Sequence, residues 1–323
     1  MELDDLRTDA PRRLFDRYLM VDWSSSNKPT SETPTKDAIW IGELTAAGRP
    51  QTFYCRTRAA AVDVITKRLA EAADAGQRVL VGFDFAFGYP TGFAVAAGLV
   101  DEGSPPWLAT WQYLAGSITD SPDNVSNRFE VASDLNSRVS PGPGPFWGCP
   151  KGSDTEYLTP SHVGVFSYPY PTAGAALERL RVTERHMKGV QPTWKLFTTG
   201  SVGSQVLVGI PRVHALRRAL GSASAVWPFE TGFTDDPLAR AAKASVLLVE
   251  IWPGIVDAEK LAALTKRGHI RDEAQVHLMC TWCAEHDERG SLGRYFDRPV
   301  LKPEDLARAE SEEGWILGCI AQP

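Results

Sequence analysis

The stretch QRVLVGFDFAFGYP, Gln77 to Pro90, decides how the chain is read. Val79, Leu80, Val81 and Phe83 follow one another without polar alternation, the pattern of a strand buried on both faces of a parallel sheet. The run then meets Asp84, held between Phe83 and Phe85, where an uncompensated charge is expensive. A strand of this kind needs neighbours on both sides.

Upstream, RYLMVDW (residues 17–23) is a second apolar run and also ends on an acid, Asp22. DAIWIGEL (37–44) and RPQTFYCRT (49–57) read as two more strands, so the chain begins with a three-strand meander. Their link SSSNKPTSETPTK (24–36) is rich in Ser, Thr and Pro and long for a hairpin, which predicts a mobile flap. Residues 58–76 place Val62, Ile65, Leu69 and Ala73 at helical spacing before a terminating Gly76. Downstream, ASVLLVEIWPG (244–254) is a buried strand carrying Glu250, and RDEAQVHLMCTWCAEHD (271–287) is a helix. Asp272 and Glu273 occupy its first turn, where the helix dipole favours carboxylates. The segment EEGWILGC (312–319) packs back through Trp315 and Ile316.

Residues 91–240 break this rhythm with dense Gly, Pro and Trp. They read as an inserted lid or substrate subdomain with its own small core, lying between the fourth and fifth strands of a core formed by residues 1–90 and 241–323. A helix is expected within it at GAALERLRVTERHM (174–187). The fold class is therefore α/β: a mixed five-stranded sheet flanked by helices, with a large insertion.

Composition narrows the function. The 323 residues are 43% hydrophobic and 23% charged, ordinary for a folded globular chain, and the formal charge of −6 excludes bulk electrostatic coating of duplex nucleic acid. No apolar run is long enough for a membrane span and the first residues lack a signal-peptide layout, so a cytoplasmic protein is expected. The 5 cysteines are scattered, and Cys280 and Cys283 read as buried helix residues rather than a metal or redox pair.

Asp22 and Asp84 both stand at strand ends, where ligands of open α/β sheets gather. On adjacent strands their carboxylates converge, repel, and call for a cation. Oxygen ligands of this kind suit Mg²⁺ or Mn²⁺, with Asp272 completing the cluster, and such sites hydrolyse phosphodiesters. Taken singly, Asp22 reads equally as a turn former, Asp272 as a helix-start acid and Glu250 as an arginine partner; the joint pattern favours the metal.

These segments resemble domain-of-unknown-function family 429, whose members are predicted ribonuclease H-like nucleases. The resemblance is carried by VDWSSSN (21–27) with Trp40, GFDFAFGYP (82–90), VEIWPG (249–254), RDEAQV (271–276) and EEGWILG (312–318). Within residues 91–240 it is carried by RVTERH, WKLFTTGSVGSQ and GIPRV. It implies a ribonuclease H-like fold, with Asp22, Asp84 and Asp272 as metal ligands and catalytic acids and Glu250 close by. Many members carry a second Asp one helical step after the first, and Gln275 stands there instead.

Glu184 could supply the missing acid, Lys195 and Arg181 could contact phosphate, and Ser24 could meet substrate; Arg181 and Glu184 equally fit a solvated helix face. Trp107, Trp111, Phe146 and Trp147 fit either base stacking or lid packing. The expected protein is a Mg²⁺- or Mn²⁺-dependent nuclease or phosphodiester hydrolase acting on nucleic acid or a nucleotide-containing small molecule. A non-catalytic nucleotide- or nucleic-acid-binding protein and an actin-like ATP-dependent phosphotransferase are the alternatives.

Overall fold

A computed structural model describes residues 13–45 and 48–321. Six strands form one mixed sheet: β1 (Arg17–Asp22), β2 (Ile39–Thr45), β3 (Gln51–Cys55), β4 (Val79–Phe83), β5 (Ser224–Val226) and β6 (Val246–Glu250), in the order β3-β2-β1-β4-β6-β5. The β1–β2 and β2–β3 pairs are antiparallel, while β1–β4, β4–β6 and β5–β6 are parallel. The expected meander and its parallel continuation are both present. The strand count differs from five: β5 comes from residues 91–240 and covers the edge that β6 would otherwise expose, which an open sheet edge requires.

The helices are α1 (Arg58–Asp74), α2 (Phe93–Ala96), α3 (Pro106–Ser117), α4 (Arg128–Val139), α5 (Val182–Arg185), α6 (Gly203–Leu220), α7 (Pro237–Arg240), α8 (Ala258–Lys266), α9 (Arg271–Glu288) and α10 (Pro303–Arg308). None of the described helices is long and apolar enough to cross a membrane. The helix expected over 174–187 shrinks to the single turn α5. Leu177 instead exchanges backbone hydrogen bonds with Tyr170, at 2.7 and 2.8 Å.

Strand alternation divides the core in two. Leu19, Val21, Val79, Val81, Phe83 and Leu248 join one apolar cluster with α1, α3, α4 and α6. Tyr18, Met20, Leu80, Leu247 and Val249 join the other, against α9. The unbroken apolar run of β4 thus serves both faces, as its composition requires. Trp111, Leu135, Phe146 and Trp194 belong to the first cluster, so residues 91–240 share the sheet's core and do not build one of their own. Trp107, Trp111 and Phe146 are buried, which fits packing, whereas Trp147 is half-buried against His162. Gly203 begins α6, and a Cβ there would come 2.3 Å from the Thr193 carbonyl oxygen, so this glycine serves close packing. The five cysteines are free and buried.

The helix α9 lies against β1 and β2 at a distance that only glycine permits. A Cβ on Gly42 would stand 2.6 Å from the Val276 carbonyl oxygen, and helix backbone has little freedom to give way. Gly42→Ala is expected to lower stability by about 1–3 kcal/mol through overpacking, read from the midpoint of urea unfolding; an unchanged midpoint would show that α9 can retreat.

Candidate functional site

Three alternating phenylalanines aim Asp84. The rings of Phe83 and Phe85 are 5.6 Å apart, those of Phe85 and Phe87 5.8 Å, and Trp23 closes on Phe85 at 5.9 Å. With the aromatic residues committed to one face, Asp84 leaves on the other, which is also the face of α9. Asp22 follows Tyr18 and Met20 onto that same face by the two-residue period of β1. The β1–β4 register pairs Val21 with Phe83, so the next residues along, Asp22 and Asp84, come level at the strand ends. Asp272 enters in the first turn of α9.

Local hydrogen bonds fix this convergence. The Trp23 amide donates to Asp84 Oδ1 at 2.7 Å, and the Asp37 amide donates to Asp272 Oδ2 at 2.7 Å. Asp37 makes that bond from the left-handed region, φ 59°, which Asp tolerates better than most residues. The Asp22 and Asp84 carboxyls lie within hydrogen-bonding reach of each other. A pocket of about 240 Å³ opens beside them, lined by Asp22, Ser24, Asp37, Ser201, Gln205 and Asp272 among others. Gln205 reaches across it to the Trp23 carbonyl oxygen.

Burial and mutual repulsion alter these acids. Asp22 is held well above the usual carboxylate range, first by loss of water and then by Asp84 and Asp272. Burial pushes Asp84 up to about 8 against the pull of the Trp23 amide, and burial also raises Asp272. The pair therefore holds a proton well above the usual carboxylate range. The donor chemistry suits a hard cation, but the disposition does not form a cage: among the described residues, no three His, Cys, Asp or Glu side chains are placed to hold one ion.

Of the other expected site residues, Glu250, Glu184, Arg181 and Lys195 do not line this pocket. Glu250 pairs in register with Phe83 and not with Asp84. One residue of offset turns it to the opposite face. There Arg181 Nη1 and Nη2 donate to its carboxylate at 2.8 and 2.5 Å, and Arg181 Nε donates to Glu184 Oε1 at 2.8 Å. Arg181 and Glu184 are thus enclosed in a buried ion network and not displayed on a solvated helix face. Both line, together with Glu250 and Asp84, a small cavity of about 80 Å³. Lys195 donates to the Thr199 carbonyl oxygen at 2.7 Å and lies 5.7 Å from the Trp147 ring centre, outside the acid pocket. Gln275 is half-buried and does not line the pocket. Ser24 does line it, its hydroxyl donating to the Asp37 carbonyl oxygen at 3.0 Å.

Asp37, Ser201 and Gln205 were not anticipated from sequence. A signal existed for Asp37: in an antiparallel β1–β2 pair, the residues preceding β2 must lie beside the end of β1. Ser201 and Gln205 lie more than 175 residues along the chain from Asp22, and their one signal was membership of WKLFTTGSVGSQ, a segment that carries the family resemblance. Compared with protein-family models, curated proteins and solved structures, the chain finds no match.

Two outcomes follow. A carboxyl whose folded pKa is raised stabilises the fold fully below its unfolded value near 4, and that contribution is lost as pH climbs toward about 8. Asp84→Asn keeps the acceptor for Trp23 and removes the charge. Its melting temperature should match wild type near pH 4 and exceed it at pH 8, by a stability difference on the order of a few kcal/mol; a gap that shrinks with rising pH would contradict the assignment. Arg181→Met leaves two buried carboxylates unpaired and should cost about 3–5 kcal/mol in chemical denaturation while leaving Mn²⁺ affinity unchanged.

Proposed function

We propose that the chain is a ribonuclease H-like phosphodiester hydrolase that works with Mg²⁺ or Mn²⁺ on nucleic acid or a nucleotide-containing molecule. The observation that carries this reading is the delivery of Asp22 and Asp84, in register, to the ends of adjacent parallel strands. No arginine or lysine forms a salt bridge with either among the described residues. A fold spends stability to hold two such acids together, and sites of that kind are drawn from functional centres. The order of a three-strand antiparallel meander followed by parallel strands, with an acid-led helix across it, supports the ribonuclease H-like assignment. So do the sequence segments that resemble family 429.

The absence of a three-ligand cage is compatible with this chemistry. Mg²⁺ is commonly held by one or two carboxylates, with substrate phosphate and water supplying the rest of its shell. Asp22 and Asp84 would hold the ion, with Asp272 beside them. Bound there, it would supply charge to acidify a water and to stabilise a departing oxygen. The chain's own polar groups have separate tasks. Trp23 and Asp37 amides orient Asp84 and Asp272, and Ser24, Ser201 and Gln205 present neutral hydrogen-bonding groups to whatever occupies the pocket.

One observation also favours the non-catalytic alternative: Gln275 stands outside the pocket and brings no further charge to it. A single assay separates the readings. Purified protein with Mn²⁺ is expected to cleave single-stranded or structured nucleic acid, and Asp84→Asn is expected to abolish cleavage while remaining folded by circular dichroism. Metal-dependent cleavage that survives Asp84→Asn would defeat the hydrolase reading. Failure of the wild type to bind Mn²⁺ at millimolar concentration would leave only a binding protein.

A further inference from the structure

Arg128, the first residue of α4, is a buried cation without a counter-ion. It is only 7% exposed, yet its hydrogen-bond partners are all neutral. Nε donates to Ser204 Oγ at 3.0 Å, and Nη1 donates to Asn27 Oδ1 at 2.8 Å and Ser126 Oγ at 2.9 Å. Its guanidinium also lies 4.6 Å from the centre of the Phe129 ring. Among the described residues, no carboxylate forms a salt bridge with it and Nη2 has no hydrogen-bond partner.

Three features of its surroundings disfavour the charge of Arg128. Burial removes water, Arg58 repels it, and the start of a helix is the positive end of its dipole. Burial first and Arg58 second lower its pKa to about 10, against the opposing pull of Asp120 and Glu130. The acid nearest to compensating it, Asp120, is already spent: Arg58 donates to both of its oxygens at 2.8 and 2.6 Å, and Arg212 adds a bond at 2.8 Å. Glu130 lies within its field and forms no salt bridge. Two arginines therefore share the Asp120 carboxylate, and Arg128 has no bond to it.

This basic group is tied to the acid pocket through the serine-rich segment that follows Asp22. Arg58 Nη1 donates to the Ser24 and Ser26 carbonyl oxygens at 3.1 and 2.8 Å, and Asn27 reaches Arg128. Ser204, bonded to Arg128, is followed directly by Gln205 of the pocket wall. Acids gather at one end of residues 22–27 and uncompensated guanidinium at the other.

We infer that Arg128, held in place by Asn27 and Ser204, is a binding site for a phosphate group carried by the substrate. The anion takes the unspent Nη2 donor and supplies the missing negative charge; guanidinium recognises phosphate through such donors. The ownership of that phosphate rests on the hydrolase reading, whereas the anion site itself does not.

Calorimetric titration tests it with inorganic phosphate and with a 5′-phosphorylated dinucleotide, on the full chain and without metal. Wild type should bind both competitively. Asn27→Asp places a carboxylate against Arg128 without removing it, and should weaken phosphate binding at least about tenfold while raising the melting temperature. Arg128→Gln should weaken binding similarly, and Asp84→Asn should leave it intact. Absence of phosphate binding to wild type, or binding by Asn27→Asp and Arg128→Gln as tight as by wild type, overturns the site. Phosphate binding that the dinucleotide does not compete overturns its assignment to substrate. If phosphate binds as expected but Mn²⁺ supports no cleavage, the hydrolase reading fails and the anion site stands.

Discussion

Two carboxyl groups meet at the ends of adjacent parallel strands, and the architecture around them is what makes that meeting tolerable. Left to themselves, Asp22 and Asp84 would separate and seek water. They cannot, because each is the next residue of a strand whose preceding positions are packed on both faces. Phe83, Phe85 and Phe87 fix the rotation of one strand end, and the close seat of α9 over Gly42 brings Asp272 toward the same place. The acids respond by holding a proton above the usual carboxylate range.

Much of this was legible in the sequence because it depends on short-range periodicity. The apolar runs ending on Asp22 and Asp84, the helix over residues 58–74 and the acid-led helix at 271–288 are local patterns, and each formed where its pattern lies. Long-range pairing was not legible. The three-residue strand β5 has too few positions to show a period, and its place beside β6 is decided by an edge that needs covering. The helix anticipated over 174–187 failed because Leu177 found backbone partners in Tyr170, a bond that helical spacing cannot register.

Glu250 shows how strand parity separates residues that a linear reading groups. Like Asp22 and Asp84, it sits at the end of a buried parallel strand. Its register places it level with Phe83, one step before Asp84, and that step turns its carboxylate to Arg181. Counting from a register-paired neighbour would have separated the two acids' faces, but register is itself a tertiary fact. Asp37 is the converse case, a residue that hairpin geometry could have placed and that composition alone made unremarked.

The segment at residues 312–317 has a consequence for the order in which the molecule can be made. Glu312 accepts the Gly92 and Ala94 amides, Glu313 accepts from Thr91 and Val182, and the Leu317 amide donates to the Glu250 carbonyl oxygen. These bonds tie down the stretch that follows Asp84 and the end of β6. A nascent chain synthesised only to residue 300 already contains all six strands and every acid of the pocket, yet lacks the groups that hold the Asp84 loop from behind. The loop after Asp84 gains these hydrogen bonds only once residues 312–317 have emerged.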